Sequence, residues 1–250
     1  MLLALPFGIA IGVTVGTLGG GGAVLALPIL VYVLGQDVHA ATTTSLAVVA
    51  AGALTGGAGQ VDRGQVCWPQ VAVFAPAAVA GTLLGTLAND VVAAKPLLIG
   101  FAAVMLAAAW FTWHKADAPE GSDAACPPLQ TARTLAAGLA VGSLTGLFGV
   151  GGGFLVVPLL ALAMRFPLRR AIGTSLVIVG FVSLVGLVMH LAHRGELDAG
   201  LTAVMAAGCA AGGLAGSRLS AHVPRATLGH AFALLVAGVA VYVAGAETLG

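Results

Sequence analysis

The sequence predicts an all-α integral membrane protein of two homologous, inverted repeats, each a glycine-broken half-helix hairpin followed by three transmembrane helices. Three observations predict it. The 250 residues are 59% hydrophobic and only 8% charged, with a mean hydropathy of +1.06, whereas a soluble domain carries about 25% charged residues. The two halves align with almost no gaps: Gly12, Gly16, Gly19, Gly21, Gly22 and Pro28 fall 130 positions before Gly142, Gly146, Gly149, Gly151, Gly152 and Pro158. Finally, both copies set consecutive glycines inside apolar runs, "GTLGGGGAVLALPIL" from Gly16 and "GLFGVGGGFLVVPLL" from Gly146.

Composition also excludes. A net charge of +1 argues against nucleic acid as a partner. Cys67, Cys126 and Cys209 have no CxxC or metal-ligand spacing, so they read as small residues filling gaps, with no metal or cofactor expected. No charge precedes Asp37, and the apolar start lacks a basic leader and a clear cleavage site, so it reads as a retained membrane segment.

The elements follow in order. Residues 1–114 form the first repeat, 115–132 a polar, Pro-rich linker, and 133–250 the second repeat. Each repeat opens on a charge-free segment, 1–36 or 134–164. At ~1.5 Å per residue such a segment reaches ~50 Å as helix, against ~30 Å of hydrocarbon. That is too long for one crossing and tight for two. The mid-segment glycines point to two half-helices meeting inside the membrane, either as a hairpin that returns or as a broken helix that crosses. Ordinary spans follow at 40–61, 68–89 and 96–113, then at 171–192, 199–217 and 224–246, each near the ~20 residues a crossing needs.

Positive charge arbitrates, because Lys and Arg collect on the cytoplasmic side. If the glycine segments return, the copies are inverted and the basic residues outside the spans divide 8 to 2, with only Lys95 and Arg194 on the minor face. If they cross, the division is 6 to 4. The hairpin reading therefore puts both termini outside and the linker in the cytoplasm, across a cell inner membrane.

A helix broken inside a bilayer exposes backbone groups that lipid cannot satisfy, so the break must be buried in protein or line a cavity. Past the break, the restarting helix has amides without intrahelical partners and the positive end of its dipole. Glycine-rich turns let successive amides point into one concavity, a nest for anions. Broken helices at paired positions of a duplicated carrier mark its substrate site. Packing explains part of the pattern, since Gly8, Gly12, Gly16 and Gly20 recur every fourth residue, as small residues do at close helix crossings. It does not call for consecutive glycines, each costing a helix about 1 kcal/mol.

"ATTTSL" from Ala41 and "AIGTSL" from Ala171 open the next helices at matching places. Their hydroxyls can cap a helix start or hydrogen-bond an oxyanion. The candidate site is thus Gly19, Gly20, Gly21, Gly22, Thr43, Thr44 and Ser45 in the first copy. In the second it is Gly149, Gly151, Gly152, Gly153, Thr174 and Ser175. Dipoles and neutral donors suit a small anion that must bind and then leave.

These residues carry a resemblance. The paired G-x-x-x-G-x-x-G-x-G-G motif with a proline shortly after, followed by "xTS", in a duplicated hydrophobic chain, resembles the TauE/SafE sulfite exporter family over about Leu5 to Val243. The resemblance implies a secondary transporter that exports or takes up small sulfur-containing anions such as sulfite, sulfonates or sulfoacetate, and a homodimer in the lipid bilayer; of the two directions we expect export, by alternating access at a site between the repeats. It also implies that the glycine turns flank the site with the Thr and Ser residues nearby. Val150 departs from a pure glycine run and makes the half-sites unequal.

His190 lies within a span and is a candidate for proton coupling, although a histidine near a span end, like His230, is also explained by headgroup contact. Trp68, Trp110 and Trp113 fall at span ends, as interfacial anchors do. The "RFPLRR" cluster, residues 165–170, fits anionic headgroups or a mouth that gathers anions. An anion channel shares these features and differs in flux kinetics. A membrane-embedded enzyme lacks support: no GxSxG, no HExxH and no Asp or Glu inside a span.

Overall fold

A computed structural model describes residues 4–89, 100, 103, 105–110, 112–114, 126–148, 153–194 and 198–249. Every regular element among them is helical. The first glycine segment divides into α1 (Ala4–Leu18) and α2 (Ala23–Pro28), the latter continued by a π-helical turn, Ile29–Val33. Pro28 has no N–H to donate back to the Val24 carbonyl; past it the turn widens, and Leu34 N–H bonds the Ile29 carbonyl five residues back at 3.0 Å. Then come α3 (Val38–Val61) and α4 (Trp68–Asn89). The second copy supplies α5 (Thr131–Phe148), α6 (Gly153–Ala163), α7 (Leu168–Arg194), α8 (Ala199–His222) and α9 (Arg225–Leu249). Residues 105–110 and 112–114, within the expected third span, are helical too. Among the described residues four helices, α3, α4, α7 and α8, are long and apolar enough to cross a membrane. Large side chains such as Leu84 on α4, Val188 on α7 and Leu234 and Val241 on α9 stay more than half exposed on the flanks of the bundle, where lipid replaces water as the neighbour.

The half-helices end alike. Gln36 N–H reaches back to the Leu30 carbonyl and Phe166 N–H to the Leu160 carbonyl, a six-residue closure in each copy that needs one left-handed residue. In the first copy that residue is Gly35, at φ +66°; in the second it is Arg165, at φ +55°.

Glycines decide the packing. On α1, a methyl at Gly8, Gly12 or Gly16 would overlap the backbone of Met205, Cys209 or Gly213 on α8. On α5, a methyl at Gly138 or Gly142 would overlap the Phe74 or Ala78 carbonyl on α4. The reverse contacts match too, with Gly212 against the Ile9 carbonyl and Gly81 against that of Leu139. The first helix of each copy therefore lies against the fourth helix of the other. Rising numbers on α1 meet rising numbers on α8, and so do those of α3, through Gly52 at Cys209 and Gly56 at Gly213. So α1 and α3 run the same way, side by side. By contrast α3 and α7 are antiparallel, with Gly57 at Leu176 and Leu54 at Gly180.

Candidate functional site

The first break is a buried turn, Gly19 to Gly22, between α1 and α2. Gly19 and Gly20 take φ values of +71° and +95°, where only glycine sits without strain. Both their amides still bond the Val15 carbonyl and so finish α1. The amides of Ala23, Val24 and Leu25, expected to be free at the restart of α2, are bonded to the carbonyls of Gly20, Gly21 and Gly22. The donors left over lie two residues earlier. The buried amides of Gly21 and Gly22 find no acceptor among the described residues.

The second copy reaches this turn directly. Ser175 on α7 donates to the Gly19 carbonyl at 2.7 Å as well as to its own Ile172 carbonyl at 2.8 Å. A methyl on Gly20 would stand 3.1 Å from the Gly153 carbonyl, and one on Gly153 would stand 3.0 Å from the Gly20 carbonyl. The break of one copy thus meets the start of the half-helix of the other. Gly149, Gly151 and Gly152 lie outside the described residues. Around the turn the space is filled: a methyl on Gly21 would lie 2.5 Å from the Phe232 ring, and one on Gly22 would strike Thr14.

The remaining hydroxyls are not helix caps, because α3 and α7 begin a full turn before them. Thr174 accepts the Cys67 N–H at 3.1 Å, and Thr44 pairs with Thr202 at 3.3 Å. Ser45 donates to the Thr42 carbonyl at 2.8 Å, and Thr43 is buried in α3. Ser175 is the one among them seen to grip the first break. His190 lies on the same helix fifteen residues beyond Ser175, about 22 Å along the axis, and is not part of this cluster. A cavity of about 230 Å³ beside Val141, Leu155 and Pro158 is walled by apolar side chains alone and offers an anion nothing.

One end of the bundle gathers basic residues. Arg63 donates to the Ser217 carbonyl at 2.6 Å, Arg169 to those of Ala221 and Val223 at 3.0 and 3.3 Å, and Arg170 to that of Gly64 at 3.1 Å. The cysteine reading fails at this end. Cys67 and Cys126 form a disulfide across 59 residues, with Arg170 3.3 Å from the Cys126 sulfur, and Gln70 adds a 2.7 Å bond to the Pro127 carbonyl. No spacing motif announces a pair so far apart; only the fold, which carries the linker's end to the start of α4, brings them together. Cys209 is buried and free, as a gap-filling residue would be.

The comparisons with known proteins agree in kind. The family model described as sulfite exporter TauE/SafE matches residues 4–243. A "probable membrane transporter protein" of Xylella fastidiosa is 31% identical, covering 97% of this chain and 94% of its own length. Proteins with the same description are 28% identical in Methanocaldococcus jannaschii, over 78% of this chain and 75% of theirs, and 27% identical in Bacillus subtilis, over 73% and 77%. No solved structure matches the chain.

Proposed function

The chain belongs to the TauE/SafE sulfite exporter family and is a multi-pass membrane transporter; from that premise we propose that it carries a small sulfur oxyanion, sulfite or a sulfonate, by alternating access between its two copies. One observation supports the site above all. Two adjacent amides, of Gly21 and Gly22, are buried without an acceptor among the described residues, where the two copies touch. A buried donor left unpaired costs about 1–3 kcal/mol, and an oxyanion presented to both would recover it. Among the described residues no fixed cation stands at the break, an arrangement that suits an anion that must also leave.

The inverted arrangement has its own support. With α1 and α3 parallel, the chain from Gly19 to Asp37 turns back toward the side where α1 begins, which supports reading the first glycine segment as a returning hairpin. Exchange of the copies also maps the α1–α8 contact onto the α5–α4 contact. By sequence equivalence Ser45 is the counterpart of Ser175, whose hydroxyl reaches the Gly19 carbonyl, and we assign it the matching role at the second break. Orientation in this reading follows the basic residues, with the linker in the cytoplasm and both termini outside; export as the direction rests on the family description.

Counterflow in proteoliposomes tests the reading. Labelled sulfite should exchange against internal sulfite and sulfonate with saturation, while chloride fails to compete. Ser175→Ala and Ser45→Ala should each weaken half-saturation about fivefold, the equivalent of one neutral hydrogen bond of about 1 kcal/mol. Flux that rises linearly without counterflow would make the protein a channel. Wild-type affinity in both variants would remove the breaks from the site.

A further inference from the structure

We propose that the cavity at the arginine-rich end of the bundle is a second oxyanion site, an antechamber that loads or unloads the break. This rests on the transport reading above. The cavity, about 30 Å³, is lined by Gln60, Arg63, Gln65, Arg169, Ile172 and Ser220 among others, with no carboxylate among its lining residues.

Its chemistry is one-sided. Arg63 comes from the end of α3 and Arg169 from the start of α7, so two guanidiniums face one space. Neither forms an ion pair among the described residues, although Asp62 adjoins one of them in sequence. A guanidinium carries five N–H donors. Arg63 spends one on the Ser217 carbonyl, and Arg169 spends two on Ala221 and Val223. Those bonds hold both groups in place and leave most of their donors for something else. Neutral polar groups complete the wall: Gln60 donates to the Ser220 hydroxyl at 3.0 Å, and Ser220 in turn donates to the Ser217 carbonyl at 2.8 Å.

The bland account is that the arginines only cap the exposed carbonyls ending α8. Capping explains where the guanidiniums sit. Capping sets both charges at the negative end of the α8 dipole, yet it leaves most of their N–H donors unspent beside a space lined by no carboxylate. The cavity also has a position. Ile172 lines it and at the same time abuts Gly19, its Cα standing 2.8 Å from where a Gly19 methyl would lie. One residue separates the antechamber from the break. As it stands the space suits water more than an anion, so entry requires displacing water and shifting Arg63 or Gln65, which lie toward the surface. The closed cavity would be the unloaded form.

Equilibrium binding of labelled sulfite and of sulfate to purified full-length protein, at fixed ionic strength, tests this together with sided transport kinetics. Wild type should hold two anions per chain. Arg63→Gln and Arg169→Gln keep N–H donors for the α8 carbonyls but remove the charge. Each should abolish or weaken one binding phase by about tenfold, as expected for losing a charge-assisted hydrogen bond, and raise half-saturation only from the arginine side. Arg165→Gln, which removes an exposed charge near the same end without touching the cavity, controls for general electrostatics and should do neither. One anion per chain in wild type, or wild-type binding in both cavity variants, would overturn the antechamber while leaving the carrier reading standing. No binding of either anion to wild type would sink both. Equal effects from Arg165→Gln would reduce the cavity to a charged surface.

Discussion

Single residues carry opposite lessons at positions that look alike in sequence. Gly142 and Gly238 both lie in apolar helices, yet a methyl at Gly142 would overlap the Ala78 carbonyl, whereas one at Gly238 meets nothing within 4 Å. Gly142→Ala should therefore cost about 1–3 kcal/mol of stability through overpacking. Gly238→Ala should be neutral or gain up to about 1 kcal/mol of helix propensity. Thermal unfolding in detergent, read by size-exclusion, distinguishes them; equal shifts would refute the helix contact. Arg165 is the converse case, a bulky residue at φ +55° where the first copy has Gly35. Left-handed backbone costs a non-glycine residue roughly 1–2 kcal/mol, so Arg165→Gly should raise the melting temperature without altering folding or anion affinity. A lower melting temperature would mean that the arginine side chain makes compensating contacts. The four-residue glycine spacing made the packing role of Gly12 and Gly142 legible, but nothing in the sequence separates Gly21, which meets the Phe232 ring, from a glycine facing an open nest.

At the scale of elements, the bounds of α4 coincide with the span expected at 68–89, and α7 exceeds its expected span by three residues at the start and two at the end. Hydrophobic length and flanking charge are enough to read a crossing helix. The break between α1 and α2 was legible too, because four consecutive glycines cannot continue a helix cheaply. Its donors were not. Tight turns consume the amides at the start of α2, and the free ones fall at Gly21 and Gly22, an outcome set by φ angles that many glycine runs could avoid. The π-helical turn after Pro28 was likewise hidden. The α2–α9 contact yields a test of the break itself. Gly21→Ala alone drives a methyl into the Phe232 ring at 2.5 Å and should lower folded yield. Pairing it with Phe232→Leu should restore folding and leave only the effect on the anion. If the double variant folds and counterflows sulfite like wild type, the Gly21 amide is not a ligand. A tenfold weaker half-saturation is the expected result, since a hydrogen bond to a charged group contributes about 1.5–3 kcal/mol.

Over the whole molecule, the duplication was plain from residue spacing, yet the exchange of first helices between copies was not. An offset of 130 says which residues are equivalent, not which copy each one packs against; that depends on where short glycine faces find partners. The disulfide pulls against the charge pattern. The inverted reading assigns eight of the ten basic residues to the end that carries Cys67 and Cys126, and so expects that end in the cytoplasm, whereas lasting disulfides belong to oxidising compartments. The bond itself supplies the means to decide. It closes residues 67–126 into a covalent ring, so a cut after Lys115 severs the backbone without parting the pieces. The only two lysines, Lys95 and Lys115, lie inside the ring, so a lysine-specific protease followed by denaturing electrophoresis should leave one band near 24.4 kDa without reductant and shorter ones with it. Applied to sealed right-side-out vesicles, the protease reads the side of the linker, and an impermeant reductant reads the side of the bond. Protection from both from outside fits a cytoplasmic linker and terminal segments in the periplasm; cutting from outside would invert the whole map. The ring thus turns the protein into its own record of which way it was threaded.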